Sequence, residues 1–142
     1  MFNFSHFHPM LVHFPIALAM VGLLIEAVRF FYCKTEPKFP CGEALLYLAT
    51  ISALFALLTG FLFTPSLSGK PLEVRNLHLL LAVLSTVSLL LASLFYLIAR
   101  FGKQNGKIFS ITGLLFYALS ALLMSATGFM GGNLVYTYMI GL

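Results

Sequence analysis

Four long apolar runs constrain the fold of this chain more than any other feature of its sequence. They cover about residues 9–32, 43–63, 76–99 and 108–130. Each run is about 20 residues or longer, the length that an α-helix needs to cross a hydrocarbon core of about 30 Å. Because a chain in lipid must satisfy its backbone hydrogen bonds internally, these runs predict four membrane-spanning helices.

The composition agrees with this prediction and limits the function. Hydrophobic residues make up 61% of the 142 residues and charged residues only 8%, whereas a soluble domain carries about 25% charged residues. We therefore expect one transmembrane domain, residues 1–142, surrounded by the lipid bilayer. Met1 to Ser5 contain no Lys or Arg, so we expect no cleavable signal and a first helix that stays in the mature protein. The basic residues are scattered singly, which argues against nucleic-acid binding.

The positions of Lys and Arg predict the orientation in the membrane. Six of the eight lie in or beside the first and third loops, namely Arg29, Lys34, Lys38, Arg100, Lys103 and Lys107, and the second loop has only Lys70 and Arg75. Because Lys and Arg are enriched in cytoplasmic loops, we expect a multi-pass protein of the bacterial inner membrane with both termini in the periplasm. All the histidines then lie at the periplasmic end: His6, His8, His13 and His78.

An internal repeat predicts two related helical hairpins. Residues 51–61 align without gaps on residues 119–129, and both segments end in Thr-Gly-Phe. Sliding the first helix along the third can superpose His13 on His78. We therefore predict an all-α, up-down four-helix bundle of two hairpins related by a pseudo-twofold axis. The first and third helices would lie on one diagonal, so His13 and His78 would face each other.

Two facing histidines predict a b-type haem held between helices. Iron in a six-coordinate haem takes one imidazole on each side, and bundles build such sites from side chains on facing helices. We therefore predict that His13 and His78 are the axial ligands of the haem iron. The other pocket residues are predicted by role. Gly60 and Gly128 give the haem ring room, and Phe14 packs on its edge. Thr59 and Thr127 accept hydrogen bonds from ligand Nδ1–H groups, and Arg75 and His8 pair with the haem propionates.

Two other interpretations of the histidines stay open. His8, as a spare ligand, could join His13 and His78 in a three-imidazole copper or zinc site. On an ideal helix His8 and His13 point about 140° apart, so the helix start would have to fray for them to converge. Alternatively, the histidines bond only to backbone carbonyls or water, and no cofactor is bound.

The motifs at the two ends of the chain resemble those of a known family. The family is domain of unknown function 2231, a bacterial family of small four-helix membrane proteins. The resemblance rests on three segments: His8-Pro9-x-x-Val12-His13-Phe14-Pro15-Ile16-Ala17-Leu18, the single His78 of the third helix, and Gly131-Gly132-x-Leu134-Val135-Tyr136. It covers nearly the whole chain and implies the four-helix fold. Some members are fused to or encoded near redox proteins, which implies an electron-transfer context.

Together these features favour an electron-transfer subunit over a stand-alone enzyme. We expect a membrane b-type cytochrome whose haem lies near the outer face and relays electrons between quinol and a periplasmic redox partner, in an oligomer or with other membrane subunits. The sequence has no visible set of nucleophile, base and orienting group, which argues against a hydrolase. The alternatives are a cofactor-free anchor or accessory subunit of a larger complex, and a protein that handles copper or zinc.

Overall fold

The computed structural model describes residues 7–32, 40–63, 67–102 and 105–139. Within these ranges all regular structure is helical: α1 (Phe7–Leu11), α2 (His13–Tyr32), α3 (Cys41–Phe63), α4 (Lys70–Phe101) and α5 (Gly106–Tyr138). α1 and α2 form one span, His8–Tyr32, and each of the three other helices is long and apolar enough to cross a membrane. The predicted all-α four-helix membrane bundle is therefore confirmed.

The first span is broken near its N-terminal end, at Val12. Pro15 causes the break, because proline has no N–H to donate to the carbonyl four residues earlier and its ring crowds that carbonyl. The carbonyl concerned is that of Leu11, the last residue of α1. The Val12 N–H still donates to the His8 carbonyl at 3.2 Å, so α1 keeps a helical turn. The break therefore separates the short helix that carries His8 from the long helix that begins at His13.

The last two helices are longer than the apolar runs predicted. α4 begins at Lys70 rather than near residue 76, with Pro71 in its first turn, where a missing N–H costs nothing. α5 continues to Tyr138 rather than ending near residue 130. Gly131 and Gly132 stay helical, because a helix satisfies the backbone in lipid and tolerates glycine there. Hydropathy therefore underestimated the lengths of α4 and α5, because it does not detect polar residues that remain in a helix.

The helices pack as the two hairpins that the sequence predicted. α2 packs along α3, and α4 packs along α5. The hairpins meet where α3 contacts α4 and α2 contacts α5. α2 and α4 therefore lie on one diagonal of the bundle.

The buried side chains show how the two hairpins correspond. α2 buries Pro15, Ala19, Gly22 and Glu26, and 70 positions later α4 buries Ser85, Leu89, Ala92 and Tyr96. α3 buries Gly42, Leu46, Ala49, Thr50 and Ala53, and 71 positions later α5 buries Gly113, Tyr117, Ser120, Ala121 and Met124. The register read from the sequence, with His13 on His78 and Gly60 on Gly128, is therefore wrong. The structural register relates His8 to His78 and Gly60 to Gly131.

One buried hydrogen bond joins the two hairpins in the middle of the bundle. The oxygens Thr50 Oγ1 and Ser93 Oγ are 2.9 Å apart. Thr50 donates its own proton to the Leu46 carbonyl at 2.8 Å, so Ser93 is the donor between helices. Such polar bonds hold membrane helices together where lipid offers no hydrophobic driving force.

Replacing Thr50 by valine should weaken the contact between α3 and α4. The side chain keeps its shape but loses both hydrogen bonds, and bonds of this kind contribute about 0.6 kcal/mol on average and ~1.7 kcal/mol at most. We expect a loss of that size in the free energy of unfolding, measured by SDS titration of detergent-solubilised protein. Thr112→Val is the control, because the Thr112 hydroxyl bonds only to its own helix, at the Ile108 carbonyl. Equal stability of the two variants would contradict the prediction.

Candidate functional site

A cavity of about 430 Å³ opens between the helices at the end of the bundle that contains the histidines. Its size lies within the range of about 300–1,000 Å³ that is typical of ligand and cofactor pockets. Most of its wall is apolar, and side chains from α1 to α5 contribute to it. The polar and aromatic groups on the wall include His8, His13, Arg75, His78, Thr127 and Tyr136.

Two histidines face each other in this cavity, and they are His8 and His78. Their ring centres are 6.2 Å apart and their ring planes are at 84°. His8 is on α1 and His78 is on α4, so the break at Val12 lets the first span present His8 to the opposite hairpin. The sequence had predicted His13 for this place. In the structure the His13 side chain is exposed and lies at the edge of the cavity, and His6 lies outside the described residues.

A threonine of α3 fixes the ring of His8. His8 Nδ1 and Thr59 Oγ1 are 3.1 Å apart. The Thr59 hydroxyl proton is already donated to the Ala56 carbonyl at 2.9 Å, so this oxygen accepts the proton of His8 Nδ1–H. In the neutral ring the other nitrogen, Nε2, then carries a lone pair and no proton.

The ring of His78 is fixed in the same way by α5. Its Nδ1–H donates to the Thr127 carbonyl at 2.9 Å, because a carbonyl oxygen can only accept. Nε2 of His78 is therefore also the nitrogen with a free lone pair. The sequence predicted Thr59 and Thr127 as acceptors for the Nδ1–H groups of His13 and His78; in the structure Thr59 bonds to His8 instead, and Thr127 accepts from His78 through its backbone carbonyl. Bonds of this kind set the tautomer and the orientation of a metal-ligating imidazole.

Two glycines make room for the imidazole rings. A Cβ atom at Gly60 would lie 3.0 Å from His8 Cε1, and one at Gly131 would lie 3.1 Å from His78 Cε1. Both distances are shorter than ordinary van der Waals contact, so a larger residue would push the ring away. Gly128, which was predicted to admit a haem ring, lines the cavity, and a Cβ atom there would lie 3.4 Å from Ile16 Cδ1.

The other predicted pocket residues divide into two groups. Arg75 lines the cavity, which is where a residue that pairs with haem propionates would have to lie. Phe14 is 62% exposed and is not part of the cavity wall, because it follows His13 on the outward face of α2. Sequence reasoning did not identify Gly131 or Tyr136 as wall residues, since the last helix was expected to end at residue 130. A seven-residue spacing in the sequence, from His8 to Pro15 to Gly22, would have indicated that His8 shares the buried face.

The donor set limits what the site can hold. Among the described residues, no group of three or more His, Cys, Asp or Glu side chains could hold a metal ion. The three-imidazole site of His8, His13 and His78 is therefore not formed in this part of the chain. Two imidazoles are half of a tetrahedral zinc site. They are, however, the full axial complement of a haem, which brings its own four nitrogen ligands.

Gly131→Ala should disturb the site and lower the stability of the bundle. The new methyl group would crowd His78, and crowding of a packed interior costs about 1–3 kcal/mol. Gly132→Ala is the matched control, because a Cβ atom at Gly132 would have no neighbour within 4 Å. The free energy of unfolding in detergent should therefore fall for the first variant only. A similar change in both variants would show that contact with His78 does not determine the stability there, since alanine has the higher helix propensity at both positions.

One family of proteins matches this chain. It is described as "Predicted membrane protein (DUF2231)", and the match covers residues 5–142. No curated protein and no solved structure shows a significant match. The family match agrees with the four apolar spans of the structure. The chain therefore belongs to the DUF2231 family of predicted membrane proteins.

Proposed function

We propose that this protein is a membrane b-type cytochrome subunit that binds one haem between His8 and His78. The observation that carries the proposal is the pair of imidazoles in one cavity, with their ring centres 6.2 Å apart and each Nδ1 engaged by a neighbouring helix. Both Nε2 lone pairs are left for a metal. This choice of ligands differs from the pair that the sequence predicted in one position, with His8 in place of His13.

The spacing of the two rings fits a single metal ion between them. Zinc–imidazole bonds are about 2.0–2.1 Å long, and the bonding nitrogen lies ~1.1 Å from the centre of its ring. Two imidazoles on opposite sides of one ion therefore have ring centres about 6.3 Å apart. Bonds of similar length to iron lead to the same spacing. The observed 6.2 Å agrees with this value. A site for a bare copper or zinc ion would need further ligands, whereas a haem would not.

The surroundings of the two histidines suit a bound haem. The wall is mostly apolar, which excludes water and lowers the local dielectric constant. Arg75 is on the wall and would pair with a propionate. Gly132 has open space beside it, so the helix backbone itself forms part of the wall. A haem held there would supply reversible one-electron transfer.

The position of the site limits its partners. His8 lies at the start of the first span and His78 eight residues after the start of α4, so both are near one end of the bundle. A single cofactor there exchanges electrons at one face rather than across the whole membrane. Given the Lys and Arg distribution, this face is the periplasmic side of a bacterial inner membrane. The partners we propose are quinol as donor and a periplasmic redox protein as acceptor, with other membrane subunits or further copies of the chain completing the complex.

Visible absorption spectroscopy tests the haem and its ligands. Protein purified from haem-supplemented cells should show the sharp α band of a b-type cytochrome after reduction with dithionite. His8→Ala and His78→Ala should each remove at least nine-tenths of the bound haem. His13→Ala is the matched control and should keep the band.

Each other outcome of this experiment points elsewhere. A colourless wild-type preparation would overturn the haem proposal and leave the cofactor-free anchor, or copper or zinc handling if metal analysis finds either ion. Loss of the band in His13→Ala with retention in His8→Ala would restore the pair that the sequence predicted.

The orientation is tested separately with reporter fusions. Alkaline phosphatase joined after Leu142 should be active, because this reporter folds only in the periplasm. The same reporter inserted after Gly102, between α4 and α5, should be inactive, and it serves as the control. The reverse pattern would place the histidine cavity at the cytoplasmic face.

A further inference from the structure

The two imidazole rings in the cavity are turned almost at right angles to each other. The angle between the ring planes of His8 and His78 is 84°. The bond from Nε2 to a metal does not fix the plane of an imidazole, because the ring can turn about that bond. The plane is instead fixed by contacts away from this axis, of which the hydrogen bond at Nδ1 is the usual one.

Each ring is held away from that axis by the helix beside it. His8 Nδ1–H donates to Thr59 Oγ1 at 3.1 Å, and the next residue of α3, a glycine, lies against Cε1 of the ring. His78 Nδ1–H donates to the Thr127 carbonyl at 2.9 Å, and a glycine of α5 lies against its Cε1. A ring that turned about the Nε2 axis would lose its hydrogen bond. The two planes are therefore fixed independently, one by α3 and the other by α5.

The acceptor of His8 departs from the twofold relation between the hairpins. Thr127, which supplies the carbonyl in the second hairpin, lies 71 positions after Ala56, so the Ala56 carbonyl is its counterpart. That carbonyl is within reach of His8, but the Thr59 hydroxyl donates to it at 2.9 Å and accepts the Nδ1–H itself. The position related to Thr59 in the second hairpin is Met130, which has no hydroxyl group. Thr59 therefore sets the plane of its histidine through a contact that the other histidine lacks.

We infer that Thr59 is a positioning residue that, with the Thr127 carbonyl opposite, holds the planes of the two haem ligands crossed. The inference rests on the proposed haem site. Each imidazole interacts through its π electrons with the iron orbital that lies across its plane. Crossed rings act on two different orbitals, which stay nearly equal in energy, whereas parallel rings split them and stabilise the ferric ion.

The crossed arrangement therefore raises the reduction potential of the haem above that of a site with parallel rings. Hydrogen bonds to axial ligands are one of the means by which a protein tunes this potential. A raised potential suits a haem that accepts electrons from quinol, so Thr59 would adjust the site to its donor without touching the iron.

Electron paramagnetic resonance of the oxidised, haem-loaded protein tests the crossed planes. Iron orbitals of nearly equal energy produce the highly anisotropic low-spin signal, with one prominent feature at low field. Parallel rings produce the rhombic low-spin signal, in which all g values are resolved. We expect the highly anisotropic signal. A rhombic signal from protein that keeps its α band would overturn this inference and leave the haem proposal intact, whereas absence of the α band would overturn both.

Two substitutions of Thr59 test its part. Thr59→Val keeps the shape of the side chain but removes the acceptor, so the His8 ring turns towards the Ala56 carbonyl and away from the right angle. We expect this variant to keep the α band, to exchange the highly anisotropic signal for a rhombic one and to have a lower reduction potential. Thr59→Ser keeps the hydroxyl group and should restore the wild-type signal and potential.

Thr86→Val is the matched control for these variants. Thr86 also lines the cavity, and its hydroxyl donates to the Ala82 carbonyl of its own helix at 2.8 Å. Its loss should leave the signal and the potential unchanged. A wild-type signal in Thr59→Val, or an equal change in Thr86→Val, would show that Thr59 does not position His8.

The haem-free protein provides a measurement that depends on no threonine variant. Because each Nδ1–H is held by a neighbouring helix, both rings should carry their proton on Nδ1, the less common tautomer of a neutral histidine. Nitrogen-15 solid-state NMR of the protein in lipid at alkaline pH distinguishes the two tautomers. We expect Nδ1–H signals from both rings, one lost in His8→Ala and the other in His78→Ala. Rings that are protonated on Nε2 instead would overturn the inference, since the hydrogen bonds that fix the planes would be absent.

Discussion

The close contact between a polar side chain and a glycine is the interaction on which this bundle depends. Among the described residues it occurs twice within each hairpin and once between the hairpins, where Gly22 lies against the Tyr117 hydroxyl. In the first hairpin His8 lies against Gly60 and Glu26 against Gly42; in the second, His78 lies against Gly131 and Tyr96 against Gly113. Because lipid offers no hydrophobic force between helices, close backbone approach and polar contacts must hold them together. The glycines allow both at once, and they keep the polar groups inside the bundle rather than facing the lipid.

The same pattern produces two different sites, because the polar residues that lie against the glycines are alike at one end of the bundle and different at the other. At the cavity end the related positions are both histidine, so the site has twofold symmetry and presents two identical nitrogen ligands. At the other end the related positions are Glu26 and Tyr96, an acceptor and a donor. Symmetry there would have placed two carboxylates together, which can only accept hydrogen bonds and would repel each other, or two phenols, which carry no charge to pair with an arginine. The difference allows a charge-balanced cluster with Arg29 and Arg100.

The sequence was sufficient to predict the spans, the hairpins and the end at which the histidines gather, since hydropathy and loop charge depend on residue type alone. It did not predict which histidine meets His78. The Thr-Gly-Phe match placed Gly60 on Gly128, three residues from its true counterpart Gly131, which is close to one helical turn. A shift of that size nearly preserves which side chains of the helix are buried. The pattern of apolar residues in the sequence therefore cannot detect it. The break at Val12 then separated His8 from His13; Pro15 predicts that the helix is disturbed there, but not which of the two histidines enters the bundle.

The two sites are chemically separate even though they share every span. His8 and Glu26 are 18 residues apart along the first span, which is about 27 Å in a helix. The buried hydroxyls between them mostly donate to carbonyls of their own helices, as Ser85 and Thr86 do to Ala82, so they form no continuous path for protons. What connects the two ends is helix packing, and the Thr50–Ser93 bond in the middle of the bundle is one of its polar contacts between hairpins, beside the Glu43–Arg100 pair.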